Sequence, residues 1–101
     1  YNENMEGKIH MLVYLDEQTE KKLNSKTQGG MIPKARLVKS ATMKVVNQEV
    51  SLPSEYASGK ICDKVVSLEI PLDDYAAIEI FAEKNKFYNL QSFFRSVIKS
   101  L

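Results

Sequence analysis

Apolar residues occupy every second position in two short stretches of the chain that lie about 55 residues apart. The first stretch places Ile9, Met11, Val13 and Leu15 in this pattern, and the second places Val66, Leu68 and Ile70. Because successive side chains of a strand point to opposite faces, a period of two predicts a β-strand with one buried face. Leu12 breaks the alternation in the first stretch, and Pro71 ends the second because proline has no backbone N–H to donate.

Each predicted strand is followed by two segments in which apolar residues recur every three or four positions. This spacing predicts α-helices that bury one stripe against a core. After the first strand, the stripes are Leu23 in one helix and Leu37, Val38, Ala41 and Val45 in the next. After the second strand, they are Tyr75, Ile78, Phe81 and Ala82, followed by Leu90, Phe93, Phe94, Val97, Ile98 and Leu101.

Residues that favour helix ends stand at the boundaries of these segments. Capping side chains, first-turn carboxylates and proline favour a helix start, and the residues of this kind are Asp16, Pro33, Asp73, Asp74 and Asn89. Gly29 and Gly30 are expected to end the first helix because glycine readily adopts the left-handed conformation found there.

The order strand, helix, helix therefore occurs twice. An offset of 55 aligns Val13 with Leu68, Leu15 with Ile70 and Leu23 with Ile78, and an offset of 56 aligns Leu37 with Phe93, Val38 with Phe94, Lys39 with Arg95 and Ala41 with Val97. We interpret residues 8–46 and 61–101 as two repeats, and residues 47–60, which are rich in turn-forming side chains, as a linker.

Neither repeat can bury the apolar face of its own strand, so each needs the other as a partner. We therefore predict a mostly α-helical protein with a two-stranded antiparallel β-ribbon, in which residues 8–15 pair with residues 64–70 and four helices cover one face. The β-α-α order, used twice, would form an intramolecular pseudo-dimer. A chain of 101 residues fits one compact domain of this kind.

The charge of the chain is informative only in its distribution. The net charge is +1, which does not by itself indicate a nucleic-acid partner. However, seven Lys and Arg residues lie between Lys21 and Lys44, and no acid lies between Glu20 and Glu49. This basic segment could bind phosphates or form a solvated helical face, and the sequence leaves both open. Residues 1–50 hold eight cations and six acids, whereas residues 51–101 hold six and seven.

Several functional classes lack support in the sequence. Cys62 is the only cysteine and His10 the only histidine. We therefore expect no internal disulfide, no metal site and no cofactor. Asp73 and Asp74 fall on different helical faces, where stabilisation of the helix start explains them better than acid-base catalysis. We therefore expect a protein that is not an enzyme.

Hydrophobicity predicts a core but no membrane segment. No apolar run approaches the roughly 20 residues needed to cross a bilayer, and no signal peptide precedes Lys8, so we expect an intracellular protein without a membrane partner. The aromatic residues near Phe87, Tyr88, Phe93 and Phe94 are interpreted as core.

The sequence resembles the ribbon-helix-helix superfamily of Arc, MetJ and CopG-type repressors over nearly its whole length. The resemblance lies in the junctions 13–16 and 68–71, in Gly29-Gly30, and in the helix-like segment 89–98. The tandem arrangement is similar to that of the TraY type of conjugative plasmids and of regulators of some archaeal viruses. The resemblance implies a transcriptional regulator that inserts its ribbon into the major groove of double-stranded DNA.

The resemblance also implies two kinds of DNA contact. Base edges would be read by the outward residues of the ribbon, which are Lys8, His10, Leu12, Tyr14, Val65, Ser67 and Glu69. Phosphates would be bound at the start of the second helix of each repeat, by Lys34, Ala35 and Arg36 after Pro33 and by Asn89, Leu90 and Gln91. The surplus of cations in the first half predicts that the first repeat contributes more of the electrostatic affinity for DNA than the second.

Three functions remain open at this point. The leading hypothesis is a repressor that blocks a promoter and self-associates side by side on DNA. An accessory protein that shapes an origin of transfer is an alternative within DNA binding. An antitoxin-like interaction module is an alternative from another class. The given sequence ends at Leu101, within the last helical pattern, so this alternative requires a longer C-terminus that binds the toxin.

Overall fold

The computed structural model describes residues 7–28, 30–57 and 59–101. Its elements follow the order β-α-α-β-α-α, and about half of the chain is helical. They are β1 (Lys8–Asp16), α1 (Glu17–Lys26), α2 (Lys34–Val46), β2 (Ile61–Pro71), α3 (Leu72–Lys84) and α4 (Leu90–Lys99). The predicted combination of four helices with one two-stranded antiparallel sheet is confirmed.

The two strands pair antiparallel with a regular register over most of their length. His10 lies opposite Glu69, Leu12 opposite Ser67, and Tyr14 opposite Val65, and the register shifts between Tyr14 and Asp16. The side chains alternate as predicted. The buried ones are Val13, Leu15, Val66, Leu68 and Ile70, whereas those of the intervening positions 10, 12, 14, 65, 67 and 69 are exposed.

The core forms between the two halves of the chain rather than within either one. Helix α4 packs on β1 and against α1, while α2 packs on β2 and against α3. Helices α2 and α4 also contact each other. Phe93 and Phe94 of α4 are the largest fully buried side chains. Each half therefore buries its apolar surface mainly against the other half.

The end of α1 differs from the sequence prediction. The helix ends at Lys26 with Thr27 as its C-cap, and the left-handed residue that follows is Gln28, with φ 54°. Thr27 is buried, donates its N–H to Leu23 O at 2.9 Å, and accepts from the N–H groups of Gly30 and Ile32. These bonds stop the helix before the glycines. Gly30 does have a positive φ of 99°, and Gly29 lies outside the described residues.

The expectation that Tyr88 belongs to the core is wrong. Its side chain is 86% exposed, whereas the ring of Phe87 packs edge-on against Phe93 with centroids 4.8 Å apart. Both residues lie in the short connection between α3 and α4, after Lys86, which has a φ of 64°. Neighbouring side chains of such a non-helical segment point in different directions, so only one of the two rings reaches the core.

Candidate nucleic-acid interface

The outer face of the ribbon brings together the seven residues that the sequence analysis assigned to base reading. At its centre are the apolar side chains of Leu12, Tyr14 and Val65, which are 45%, 45% and 44% exposed. An exposed face of this kind exists because the alternation puts every core-forming side chain on the other side. Exposed apolar groups in a ribbon can contact the methyl group of thymine, which protrudes into the major groove.

Glu69 is the acidic residue among these seven, and Lys8 and His10 of the opposite strand lie beside it. Its carboxylate lies 3.4 Å from Lys8 Nζ and 3.7 Å from His10 Nε2. All three side chains are about half exposed, so these contacts add little stability. They do offset the repulsion that an isolated carboxylate would exert on DNA phosphates.

The start of α2 is open to an anion. The N-cap is Pro33, which makes no side-chain capping bond, and the first turn contains no acidic residue. The first helical bond runs from Leu37 N to Pro33 O at 3.1 Å, so the N–H groups of Lys34, Ala35 and Arg36 precede the intrahelical ladder. Arg36 is exposed, while Lys34 and Ala35 are partly buried. Positive backbone groups and two cationic side chains therefore lie together here.

The start of α4 is occupied by groups of the protein itself. Asn89 Oδ1 accepts from Ser92 N at 2.8 Å, which satisfies one N–H of the first turn. Glu55, from the segment between α2 and β2, accepts from Tyr88 N at 3.2 Å and from Ser92 Oγ at 2.5 Å. A carboxylate thus lies where the resemblance implies a DNA phosphate for the second repeat.

The side chain of Gln91 contacts the ribbon. Its Oε1 accepts from Tyr14 N at 2.9 Å, and its Nε2 donates to Leu12 O at 2.7 Å. One turn further along α4, Arg95 Nη1 donates to Tyr14 O at 2.8 Å. The backbone N–H of Gln91 still belongs to the first turn of α4, but its side chain holds the outer edge of β1.

A buried carboxylate ties the connecting segment to the start of α1. Asp16, only 1% exposed, accepts from Thr19 N at 2.8 Å through Oδ1, and from Tyr56 Oη at 2.5 Å and Gly59 N at 2.8 Å through Oδ2. Burial raises the pKa of Asp16, but hydrogen bonds from Tyr56, Thr19 and Gly59 outweigh burial and lower the pKa to about 2. Burial and the adjacent carboxylate raise the pKa of Tyr56 to about 12.

The seven cations between Lys21 and Lys44 are divided between α1 and α2. Lys34 and Lys44 lie at opposite ends of α2, separated by about 15 Å of helical rise. Lys21 pairs with Glu17 at 3.5 Å, and among the described residues none of the other six forms an ion pair. The part of the basic segment beside the open helix start is therefore Lys34 and Arg36.

Glu55 and Arg95 are site residues that the sequence did not predict. Arg95 had one signal: it aligns with Lys39 in the repeat and follows Gln91 by one helical turn, so both side chains lie on the same side of α4. Glu55 had no signal, because nothing in the local sequence of a connecting segment indicates which helix it will contact.

The described part of the chain contains no helix that is long and apolar enough to cross a membrane. It also contains no cluster of three or more His, Cys, Asp or Glu side chains placed to hold a metal ion.

Comparison of the chain with protein-family models, with curated proteins and with solved structures gave no match.

Proposed function

We propose that this protein is a sequence-specific transcriptional regulator that binds double-stranded DNA by inserting its β-ribbon into the major groove. The observation that carries the proposal is the outer ribbon face: two antiparallel strands present a solvent-exposed row of side chains while all four helices pack on the other side. A two-stranded ribbon fits the width of the major groove, where each base pair presents a distinct pattern of donors and acceptors.

The register of the strands supports a tandem ribbon-helix-helix pseudo-dimer. Leu12 lies opposite Ser67, and these two residues are separated by the same 55 positions that align the two repeats. A two-fold axis relating the repeats would have to pass between such a pair, and Leu12 is the middle residue of β1. Such an axis would also relate the packing of α4 on β1 to that of α2 on β2, and both contacts are present.

The two halves would bind DNA unequally. The open start of α2 combines backbone N–H groups with Lys34 and Arg36, whereas the start of α4 already holds the Glu55 carboxylate. We infer that the first repeat contributes most of the phosphate contacts and that the DNA site is an imperfect palindrome. Repression by blocking a promoter inside the cell is the regulatory outcome that we propose.

Selection of bound fragments from random DNA tests the proposal, and fluorescence anisotropy then measures binding to the enriched sequence and to random DNA. Alanine at His10, Tyr14, Ser67 or Glu69 should leave folding intact, because these side chains face away from the core. For at least one variant, the preference for the enriched sequence should fall roughly tenfold, as expected from loss of a base-edge contact. Gln18→Ala, an exposed change on α1, serves as the control. Full discrimination by all four folded variants would contradict ribbon reading.

A second candidate is a protein-interaction role, and a specific feature of α3 favours it. Leu72, Ala76 and Ile80 follow one another at one-turn spacing and are all exposed, so α3 has an outer apolar face besides the one that it buries. Self-association of copies on DNA is the form of this role that we propose. Ile80→Lys should reduce cooperative binding to DNA with two adjacent sites without changing the affinity for one site, whereas equal cooperativity in both proteins would argue against it.

A further inference from the structure

The outward side chains of the ribbon and the outer edges of its strands involve the same residues. In an antiparallel pair, alternate residues direct both N–H and C=O either to the partner strand or away from it. Tyr14 bonds Gln91 and Arg95 through its N–H and C=O, so it belongs to the set that points away from β2. Leu12, two positions earlier, directs its C=O to Gln91 in the same way. Contacts at this edge therefore act directly on residues assigned to base reading.

Among the residues that the structure describes, side chains hold only one of the two edges. Ser67 and Glu69 lie opposite Leu12 and His10, so by the same alternation their backbone groups point to the outer edge of β2. The helix of the other half that packs on β2 is α2, in which Ala35 and Lys39 align with Gln91 and Arg95 at the offset of 56. Alanine has no polar side-chain group, and within the described residues Lys39 makes no hydrogen bond to β2. Within residues 7–28, 30–57 and 59–101, the edge of β2 thus lacks the contacts that hold β1.

We propose that Gln91 and Arg95 are positioning residues for base reading, which fix Leu12 and Tyr14 on β1, whereas no side chain of the described residues fixes β2 in the same way. This inference rests on the proposed DNA-binding function and extends it. The amide of Gln91 bonds a backbone donor and a backbone acceptor on one strand, as a neighbouring strand would. The guanidinium of Arg95 adds a third bond to the same edge. The half of the DNA site that β1 reads should therefore be recognised with the stricter base preference.

Amide hydrogen exchange measured by NMR tests the edge contacts without DNA. In Gln91→Ala the Tyr14 N–H loses its acceptor, so its exchange should accelerate on the order of fivefold, while Ser67 and Glu69 remain unchanged. Gln91→Glu keeps an acceptor for Tyr14 and should restore much of the protection. Gln18→Ala is the matched control. Unchanged Tyr14 exchange in Gln91→Ala would overturn the proposal at this first step.

Base preference then tests the positioning role. The base positions that lose discrimination in Tyr14→Ala define the half-site read by β1, and those affected in Ser67→Ala define the other half-site. Gln91→Ala and Arg95→Lys should lower base discrimination about threefold to tenfold in the half-site read by β1 and leave the other half-site unchanged. A residue that merely stabilises the fold would lower base discrimination equally in both half-sites, and that result would overturn the inference. Unchanged discrimination in both half-sites despite faster exchange of the Tyr14 N–H would also overturn it.

The same experiments separate this inference from the function on which it rests. If wild-type protein enriches no DNA sequence, the proposed function is wrong. The positioning role of Gln91 in base reading is then wrong as well, whatever the exchange data show. If wild-type protein enriches a sequence and the Gln91→Ala selection matches it base for base, the function stands and only the positioning role is refuted.

Discussion

Replacement of Asp16 tests whether the connecting segment is anchored as the structure shows. In Asp16→Asn the amide retains one oxygen for Thr19 but presents an N–H₂ group to the donors Tyr56 Oη and Gly59 N. The cap bond to Thr19 is kept, but Tyr56 Oη and Gly59 N each lose an acceptor, and each loss costs about 1 kcal/mol or more. We therefore expect the free energy of unfolding to fall by roughly 2–3 kcal/mol and the Tm by about 10 °C.

The pKa of Asp16 gives an independent value for the same contacts. A shift from 3.8 to about 2 corresponds to roughly 2 kcal/mol in favour of the ionised form in the folded state. Because the folded pKa is the lower one, this stabilisation is fully present above about pH 4 and is lost as the pH falls through about 2. The difference in unfolding free energy between wild-type protein and Asp16→Asn should shrink by about 2 kcal/mol between pH 6 and pH 2.

Urea denaturation followed by circular dichroism across this pH range measures both effects. Asp73→Asn is the matched control, since Asp73 is an exposed acid in the first turn of α3 and should lose less than about 1 kcal/mol. Tyr56→Phe should raise the pKa of Asp16 and reproduce part of the loss. An equal effect of the two Asp→Asn changes, or a difference from wild type that is independent of pH, would refute the reasoning.

Three further predictions follow from the interface. Lys34→Ala combined with Arg36→Ala should weaken binding to all DNA sequences about equally and lower the slope of log K against log salt by about two, whereas an unchanged slope argues against phosphate contacts at α2. Glu55→Gln should strengthen DNA binding more than Glu49→Gln, which changes the net charge equally at an exposed residue just after the end of α2. Equal effects in a binding assay would show that Glu55 does not compete with phosphate. The two halves of the chain, residues 1–57 and 59–101, share one core, so neither should form a folded monomer when expressed alone. Detection of a stable folded half by light scattering and circular dichroism would contradict this prediction.

The elements that bury a periodic apolar face could be predicted from the sequence. Residues Val13, Leu15, Leu68 and Ile70 specify strand faces, and the stripe of α4 contains the two phenylalanines that fill the core. The predicted helix boundaries at Asp16 and Asn89 also agree with the structure, because a capping side chain acts within three residues of its position.

Contacts between distant side chains could not be predicted in this way. Gln91 reaches Tyr14 across 77 positions, and Glu55 reaches Ser92 across 37, so no local pattern encodes either contact. The end of α1 was missed because a buried threonine, rather than a glycine, closes it. Tyr88 was predicted to be buried because aromatic side chains usually are, but this tendency does not distinguish between two adjacent aromatic rings.

Pairing of β1 with β2 inside a single chain makes folding unimolecular. A ribbon assembled from two separate subunits comes apart on dilution, since its stability depends on protomer concentration. Here a segment of 14 residues, 47–60, keeps the two halves at an effective concentration on the order of millimolar, whatever the concentration of the protein. The folded state, and with it the ribbon face, should therefore persist at the nanomolar concentrations at which the proposed binding to a specific DNA site would occur.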